Sequence, residues 1–431
     1  MLKGLVNQKG KLLGSSLKVL SLRVCGVLIF FGLSLFLTNN FDAELIGRYD
    51  FVRSFLLIIG GISLLGTNQS IIYYSGFLKA KNSIFELRRV YFKMISIIFT
   101  ISLLFFIITR LLSEDFINSF FEKPDAYQLI NKVILVLFVY TWSMLNIDMV
   151  RALGKTVLSE VFRNVFRYLP FFLIIIFLAF NNLEAYLIES YLISFAILWL
   201  CTTVYIGIKL LSLTACTISH RVSYKNILLK SYPMAISAIS YFMMQSIDII
   251  LLSKYDSYEN VAYYAVAVKL ATASTLALLS VNVVIAPKIA EIYTDQNKKK
   301  LKSLIKNSIR LIFVLTLVAT GSLVLLSDFV LKLFGPMYIQ AKEALFLLLI
   351  GQLVGSIFGS SGIYMNMTGK QNILHKILLT GLAINITLNI IFIPKYGMNG
   401  AALATAISMI IWRITASLYA YKKDRIKTFL S

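Results

Sequence analysis

Residues 393–408 read "IPKYGMNGAALATAIS": an apolar run ends at Pro394, Gly397 and Gly400 bracket a short link, and a train of small residues follows. Proline and nearby glycines stop one helix and allow another to start within a few residues. Beyond the link, Gly400, Ala401, Ala404, Thr405 and Ser408 recur near helical spacing, a small-residue face suited to close approach by a neighbouring helix. The chain stays apolar for about twenty residues on either side, the length that crosses about 30 Å of hydrocarbon. Two membrane spans joined by a tight outer turn follow from this stretch.

The same pattern extends outward in both directions. The 431 residues are 58% hydrophobic with a mean hydropathy of +0.80, more apolar sequence than a soluble core of this length buries. Apolar segments fall near 15–38, 47–75, 91–112, 127–150, 162–181, 183–211, 226–252, 260–287, 307–327, 341–368, 373–393 and 396–421. An all-α, twelve-span membrane protein is the expected fold class. With the N-terminus in the cytoplasm, 30 of the 42 Lys and Arg fall on the inner side, 8 on the outer side and 4 within spans. Of the 20 acidic residues, 13 fall outside, 5 inside and 2 within spans. The positive-inside rule therefore puts both termini in the cytoplasm, and topology rather than a nucleic-acid partner accounts for the net charge of +22. The first segment is too long for a removed signal peptide and is expected to stay as a span.

An internal repeat with an offset near 215 residues organises the chain. "AELIGRYDFVRSF" (43–55) aligns with "YENVAYYAVAVKL" (258–270), "SEDFINSFF" with "SDFVLKLFG", and Gly154-Lys155 with Gly369-Lys370. The implied organisation is two six-span lobes, 1–215 and 216–431, related by an axis along the membrane normal and facing a central cavity. "ALGKT" (152–156) is not a phosphate loop, because Met149 stands where that loop needs glycine. His220 and His375 lie near cytoplasmic ends, and Cys25, Cys201 and Cys216 lack the spacing of a zinc or redox pair. With no catalytic set, metal box or ATP site, the expectation is a non-enzyme without a cofactor.

Charges within spans carry the functional signal, since each is costly in lipid unless it faces a cavity or a partner. Arg23 shares a face of the first span with Ser16 and Ser34, Lys269 shares a stripe of the eighth with Thr272 and Ser280, and Arg53 lies at nearly the matching depth of the second. The seventh span carries Ser237, Tyr241, Met244 and Asp248 at helical spacing, with Gln245 beside them. Asp148 ends the fourth span near the cytoplasm, while Lys132 and Arg413 are close enough to interfaces to snorkel.

The opening stretch, preceded by the Asn385/Asn389 pair, resembles the segment that marks polysaccharide flippases of the multidrug/oligosaccharidyl-lipid/polysaccharide (MOP) exporter superfamily. "DIILLSKYDSYENVAYYAVAVKL" (248–270), "APKIAEIY" (286–293) and "LFGPMYIQA" (333–341) are similar to that family's seventh-to-eighth passage, eighth-span exit and tenth-span entry. The resemblance covers nearly the whole chain. It implies an O-antigen or capsule type flippase in the bacterial inner membrane, moving undecaprenyl-pyrophosphate-linked oligosaccharides by alternating access. The implied partners are that lipid-linked cargo, membrane lipids and polysaccharide polymerase or assembly proteins. On this basis Arg23, Arg53 and Lys269 are candidates to contact the pyrophosphate, Tyr241, Gln245, Gln352 and Asn385 to meet the sugars, and Asp248 or Asp148 to couple an ion. An ion-coupled small-solute or drug exporter is the alternative.

Overall fold

Every regular element in the computed structural model is a helix among the described residues, which are 2–81, 83–211 and 222–430. The side chains of residues 2–17, 20, 237, 241, 277, 279, 283, 287 and 294 lie outside that description, as do His220 and Cys216. The chain divides into two compact units, Met1–Leu45 with Phe55–Ile239, and Ile46–Ser54 with Ser240–Ser431.

The helices run α1 (Leu2–Asn40), α2 (Ala43–Leu64), α3 (Thr67–Ala80), α4 (Leu87–Leu111), α5 (Glu114–Phe121), α6 (Ala126–Ala152), α7 (Thr156–Val161), α8 (Leu169–Phe180) and α9 (Leu187–Leu211). They continue as α10 (Tyr224–Tyr255), α11 (Tyr258–Ala273), α12 (Leu276–Thr294), α13 (Lys298–Leu325), α14 (Ser327–Leu333), α15 (Lys342–Ser356), α16 (Ser361–Met367) and α17 (Gln371–Asp424).

By length and apolarity, nine stretches of the described residues can cross a bilayer, and the bent pair 224–240 and 242–255 makes ten. The difference from twelve has two physical causes. First, α17 is 54 residues long, twice what a crossing needs, and Gly397 (φ 53°, ψ −133°) breaks it into two passages within the opening stretch. Second, α11 has 16 residues, about 24 Å, and reaches across only together with α12.

In the first unit α6 is the central helix, packing against α9, α3 and α4, with 72% of its apolar window buried. Its buried Asn146 is satisfied on both sides: Tyr91 donates to Asn146 Oδ1 at 2.5 Å, and Asn146 Nδ2 donates to Thr202 and Thr203 at 3.0 and 2.9 Å. The α2–α3 break at Leu65 and Gly66 lets α3 press on α10. A Cβ on Gly66 would sit 2.4 Å from the Ser231 carbonyl oxygen, so glycine is required there.

In the second unit α15 packs against α17, α11 and α13. The small-residue face does what its spacing implies: Ala401 and Ala404 are fully buried, and a Cβ on Gly351 would lie 2.7 Å from that of Ala406. A further close approach holds the 46–54 segment of α2 against α11, where a Cβ on Gly47 would fall 1.8 Å from the Tyr258 carbonyl oxygen.

Candidate functional site

Each cation singled out for phosphate contact is bound to a buried carboxylate. In the second unit, Lys269 Nζ donates to Asp50 Oδ2 at 3.1 Å and Arg53 Nε to Asp50 Oδ1 at 3.0 Å. Asp50 is fully buried, and Arg53 reaches it because positions three apart on α2 share a face. In the first unit, Arg23 grips Glu160 with both arms, at 3.1 and 3.0 Å, and Asn164 adds a third donor at 2.8 Å. Glu160 is 1% exposed where α7 meets the π-helical turn Phe162–Phe166, whereas the Arg23 side chain is 45% exposed. The arrangement is three cations held by two buried carboxylates, which leaves no bare charge at either carboxylate; Arg23 is well exposed, whereas Lys269 and Arg53 are largely covered.

The second unit also encloses a cavity of about 250 Å³ lined by Gln245, Asp248, Thr272, Gln352, Thr405 and Arg413 among others. Gln245, Asp248 and Gln352 are thereby brought together. Asn385 stands behind Thr405 and Ser408, donating to their hydroxyls at 3.3 and 3.1 Å. Asp248 is itself anchored: Tyr264 donates to its Oδ2 at 2.5 Å, Thr405 to the same oxygen at 3.2 Å, and the Ile249 amide to Oδ1 at 3.0 Å. Asn389, fully buried, donates to Asn385 at 2.9 and 3.2 Å, while its own Oδ1 accepts nothing.

Asp148 belongs to the first unit, apart from Asp248, and pairs with Arg163 while Asn68 donates to it at 3.3 Å. Lys132 pairs with Glu189 at 2.6 Å. Arg413 is a correction. It does not snorkel but is 7% exposed, lines the cavity and lies so close to Gly355 that a Cβ there would meet Nη1 at 2.7 Å. The side chain of Tyr241 is outside the described residues. Asp50, Glu160, Tyr264 and Thr405 are participants that sequence spacing left unassigned. An acid within four residues of a cation near a span's end would have pointed to Asp50 and, beside Arg163, to Glu160.

Residues 233–391 match the MatE family. The fold superposes on an inward-facing multidrug resistance transporter of the MATE family of the MOP superfamily with a TM-score of 0.70, over 94% of this chain and 97% of the other. The chain has the MOP-superfamily fold. A second MOP-type likeness is to the lipid II flippase MurJ in an inward closed conformation, with a TM-score of 0.71 over 95% of this chain and 87% of MurJ. Identities of 14% and 16% mean that these likenesses establish the fold alone. In sequence the chain is 26% identical over 208 residues to the capsular polysaccharide biosynthesis protein CapF of Staphylococcus aureus, 46% of this chain and 50% of CapF. It is 22% identical over 177 residues to the probable low-salt glycan biosynthesis flippase Agl15 of Haloferax volcanii, 41% of this chain and 38% of Agl15. The chain thus spans half or less of the length of these curated relatives. A MOP fold with this many apolar helices makes it a multi-pass membrane protein.

Proposed function

We propose that this chain is a flippase that carries undecaprenyl-pyrophosphate-linked oligosaccharide units from the inner to the outer leaflet of the plasma membrane for surface polysaccharide assembly. The observation that carries this reading is the pair Lys269 and Arg53 on opposite oxygens of the buried Asp50. Donors that suit a carboxylate also suit a phosphate, because both present anionic oxygens at similar spacing. The amide and hydroxyl groups of Gln245, Gln352 and Thr405 offer adaptable hydrogen bonds to sugars. The names of CapF and Agl15 support a glycan pathway. Outward movement of an anionic cargo is favoured by an inside-negative potential, at about 2.3 kcal/mol per charge per 100 mV.

An ion-coupled exporter of small solutes or drugs is the second reading, favoured by the buried, multiply bonded Asp248 and by the MatE match. The deciding experiment is flipping of a fluorescent undecaprenyl-pyrophosphate sugar in proteoliposomes by the unmodified chain, Lys269→Ala and Arg23→Ala. Loss of flipping in folded variants supports the cationic site. Flipping that survives both changes removes that site. A wild type that flips nothing but expels cationic dyes favours the exporter.

A further inference from the structure

A groove of about 810 Å³ runs between α12 and α13 in the second unit, apart from the Asp248 cavity. Its α12 wall carries Val281, Val284, Lys288 and Glu291, and its α13 wall Lys300, Ser303, Asn307 and Leu311, each set spaced three or four apart on one helical face. Both walls are graded in the same sense. Charge gathers beside the 295–297 turn that joins the helices, polar side chains follow on α13, and Val281, Val284 and Leu311 line the far end. Ser280, also at that end, is satisfied by the Leu276 carbonyl at 2.7 Å, so it adds little polarity. From Ser280 to Ile292 the groove covers about 18 Å of α12, close to the depth of one leaflet. Among the described residues no carboxylate pairs with the Lys288 or Lys300 ammonium, whereas Lys269 and Lys370 each hold one.

We propose that this groove is a binding site for one phospholipid with a singly negative, hydroxyl-bearing headgroup, of the phosphatidylglycerol type, drawn from the leaflet beside the 295–297 turn. Lys288 and Lys300 hold the phosphate, because ammonium groups at the membrane surface attract anionic headgroups and bond their oxygens strongly. Glu291 accepts from the headgroup hydroxyls, and Ser303 and Asn307 donate to the ester carbonyls one turn deeper. One acyl chain lies along Val284 and Leu311, which are 58% and 50% exposed and lose contact with water or bulk lipid when it seats. Charge decides the headgroup. Two lysines and one glutamate leave the lining at +1, which one phosphodiester neutralises and a zwitterionic phosphatidylethanolamine does not. The site is independent of which cargo the protein carries. A lipid seated there bridges α12 to α13 across the turn.

The test is native mass spectrometry of the delipidated full chain titrated with dioleoyl phosphatidylglycerol or dioleoyl phosphatidylethanolamine, reading the Kd of the first lipid bound. Phosphatidylglycerol should bind about tenfold more tightly, and Lys288→Ala/Lys300→Ala should abolish that preference, at about fivefold for each lysine. Lys302→Ala/Lys306→Ala, which removes two α13 cations outside the groove, should leave the preference in place. Val284→Trp fills the apolar end and should weaken both lipids about threefold or more, with Leu311→Trp serving if that variant misfolds. Glycerol 1-phosphate, the headgroup without chains, should not bind at the lipid's Kd. Equal Kd values for the two lipids in wild type, or tighter binding of phosphatidylethanolamine, overturn the proposal. So does a preference that survives Lys288→Ala/Lys300→Ala, or one lost equally in Lys302→Ala/Lys306→Ala, which marks general attraction to a basic surface. Binding of glycerol 1-phosphate as tight as that of the lipid, unaffected by the tryptophans, makes the site one for free phosphate and overturns it too.

Discussion

The Tyr264 hydroxyl donates to Asp248 Oδ2 at 2.5 Å from a helix that is buried along most of its length. With Thr405 on the same oxygen, the carboxylate ties α11 and the second half of α17 to α10. The pair serves both architecture and, in the exporter reading, ion binding, and the two roles separate experimentally.

Tyr264→Phe removes one donor from a fully buried acid and should cost about 1–3 kcal/mol of unfolding stability. Thermal melting in detergent checks this, and an unchanged Tm would contradict the bond's weight. Asp248→Asn/Tyr264→Phe should melt above Tyr264→Phe alone, because the unsatisfied charge is gone. If Asp248 couples an ion, Asp248→Asn should also make transport insensitive to that ion's gradient.

Arg23→Ala strips Glu160 of two hydrogen bonds and leaves only Asn164 to serve it. Arg23→Ala/Glu160→Gln should be more stable than Arg23→Ala by about 1–2 kcal/mol, a value kept low because Arg23 is half exposed. Melting curves check the stability. If Arg23 touches cargo, the double variant regains stability without regaining flipping.

Lys370, just ahead of α17, donates to Asp424 at 2.6 Å, and Tyr364 donates to the same Asp424 oxygen at 2.5 Å. Burial alone would lower the ammonium's pKa, but the bonds to Asp424 and Tyr293 outweigh it, so the pKa is raised above the usual lysine value. A raised pKa stabilises the folded state fully below the unfolded pKa, and the gain is lost as pH rises through the folded one. The Tm difference between wild type and Lys370→Met should therefore be constant from about pH 6 to 9 and shrink only above about pH 10. A difference that varies near neutrality would refute the pairing. Its size should be about 1 kcal/mol, as befits a pair close to solvent.

Much of this architecture was legible because lipid imposes long apolar runs and small-residue contacts that repeat at helical spacing. The 393–408 stretch announced both the break at Gly397 and the close packing of Ala401 and Ala404. The cations Arg23, Arg53 and Lys269 were visible for the same reason, since charge stands out in an apolar run. Their partners were not. Asp50 lies near the start of α2 and Glu160 at the end of the six-residue α7, where a carboxylate reads as interfacial. Only tertiary packing reveals that both are buried. Thr405 was hidden differently: a threonine in a run of alanines reads as a spacer, and its bond to Asp248 comes from a helix 157 residues away. Arg413 was misjudged because distance along the sequence from a span's end does not say which side of the helix meets lipid.

The three-residue spacing of Asp50 and Arg53 bears on how the protein is made. Among the charges of α2, Asp50 and Arg53 pair within one helix, which offsets part of the cost of each before any other helix arrives. Lys269 has no carboxylate three or four residues away on α11, and the Asp50 carboxylate to which it donates is made more than two hundred residues earlier. The order of synthesis therefore favours α2 entering first and offering Asp50 as the mate for a lysine that arrives later on α11.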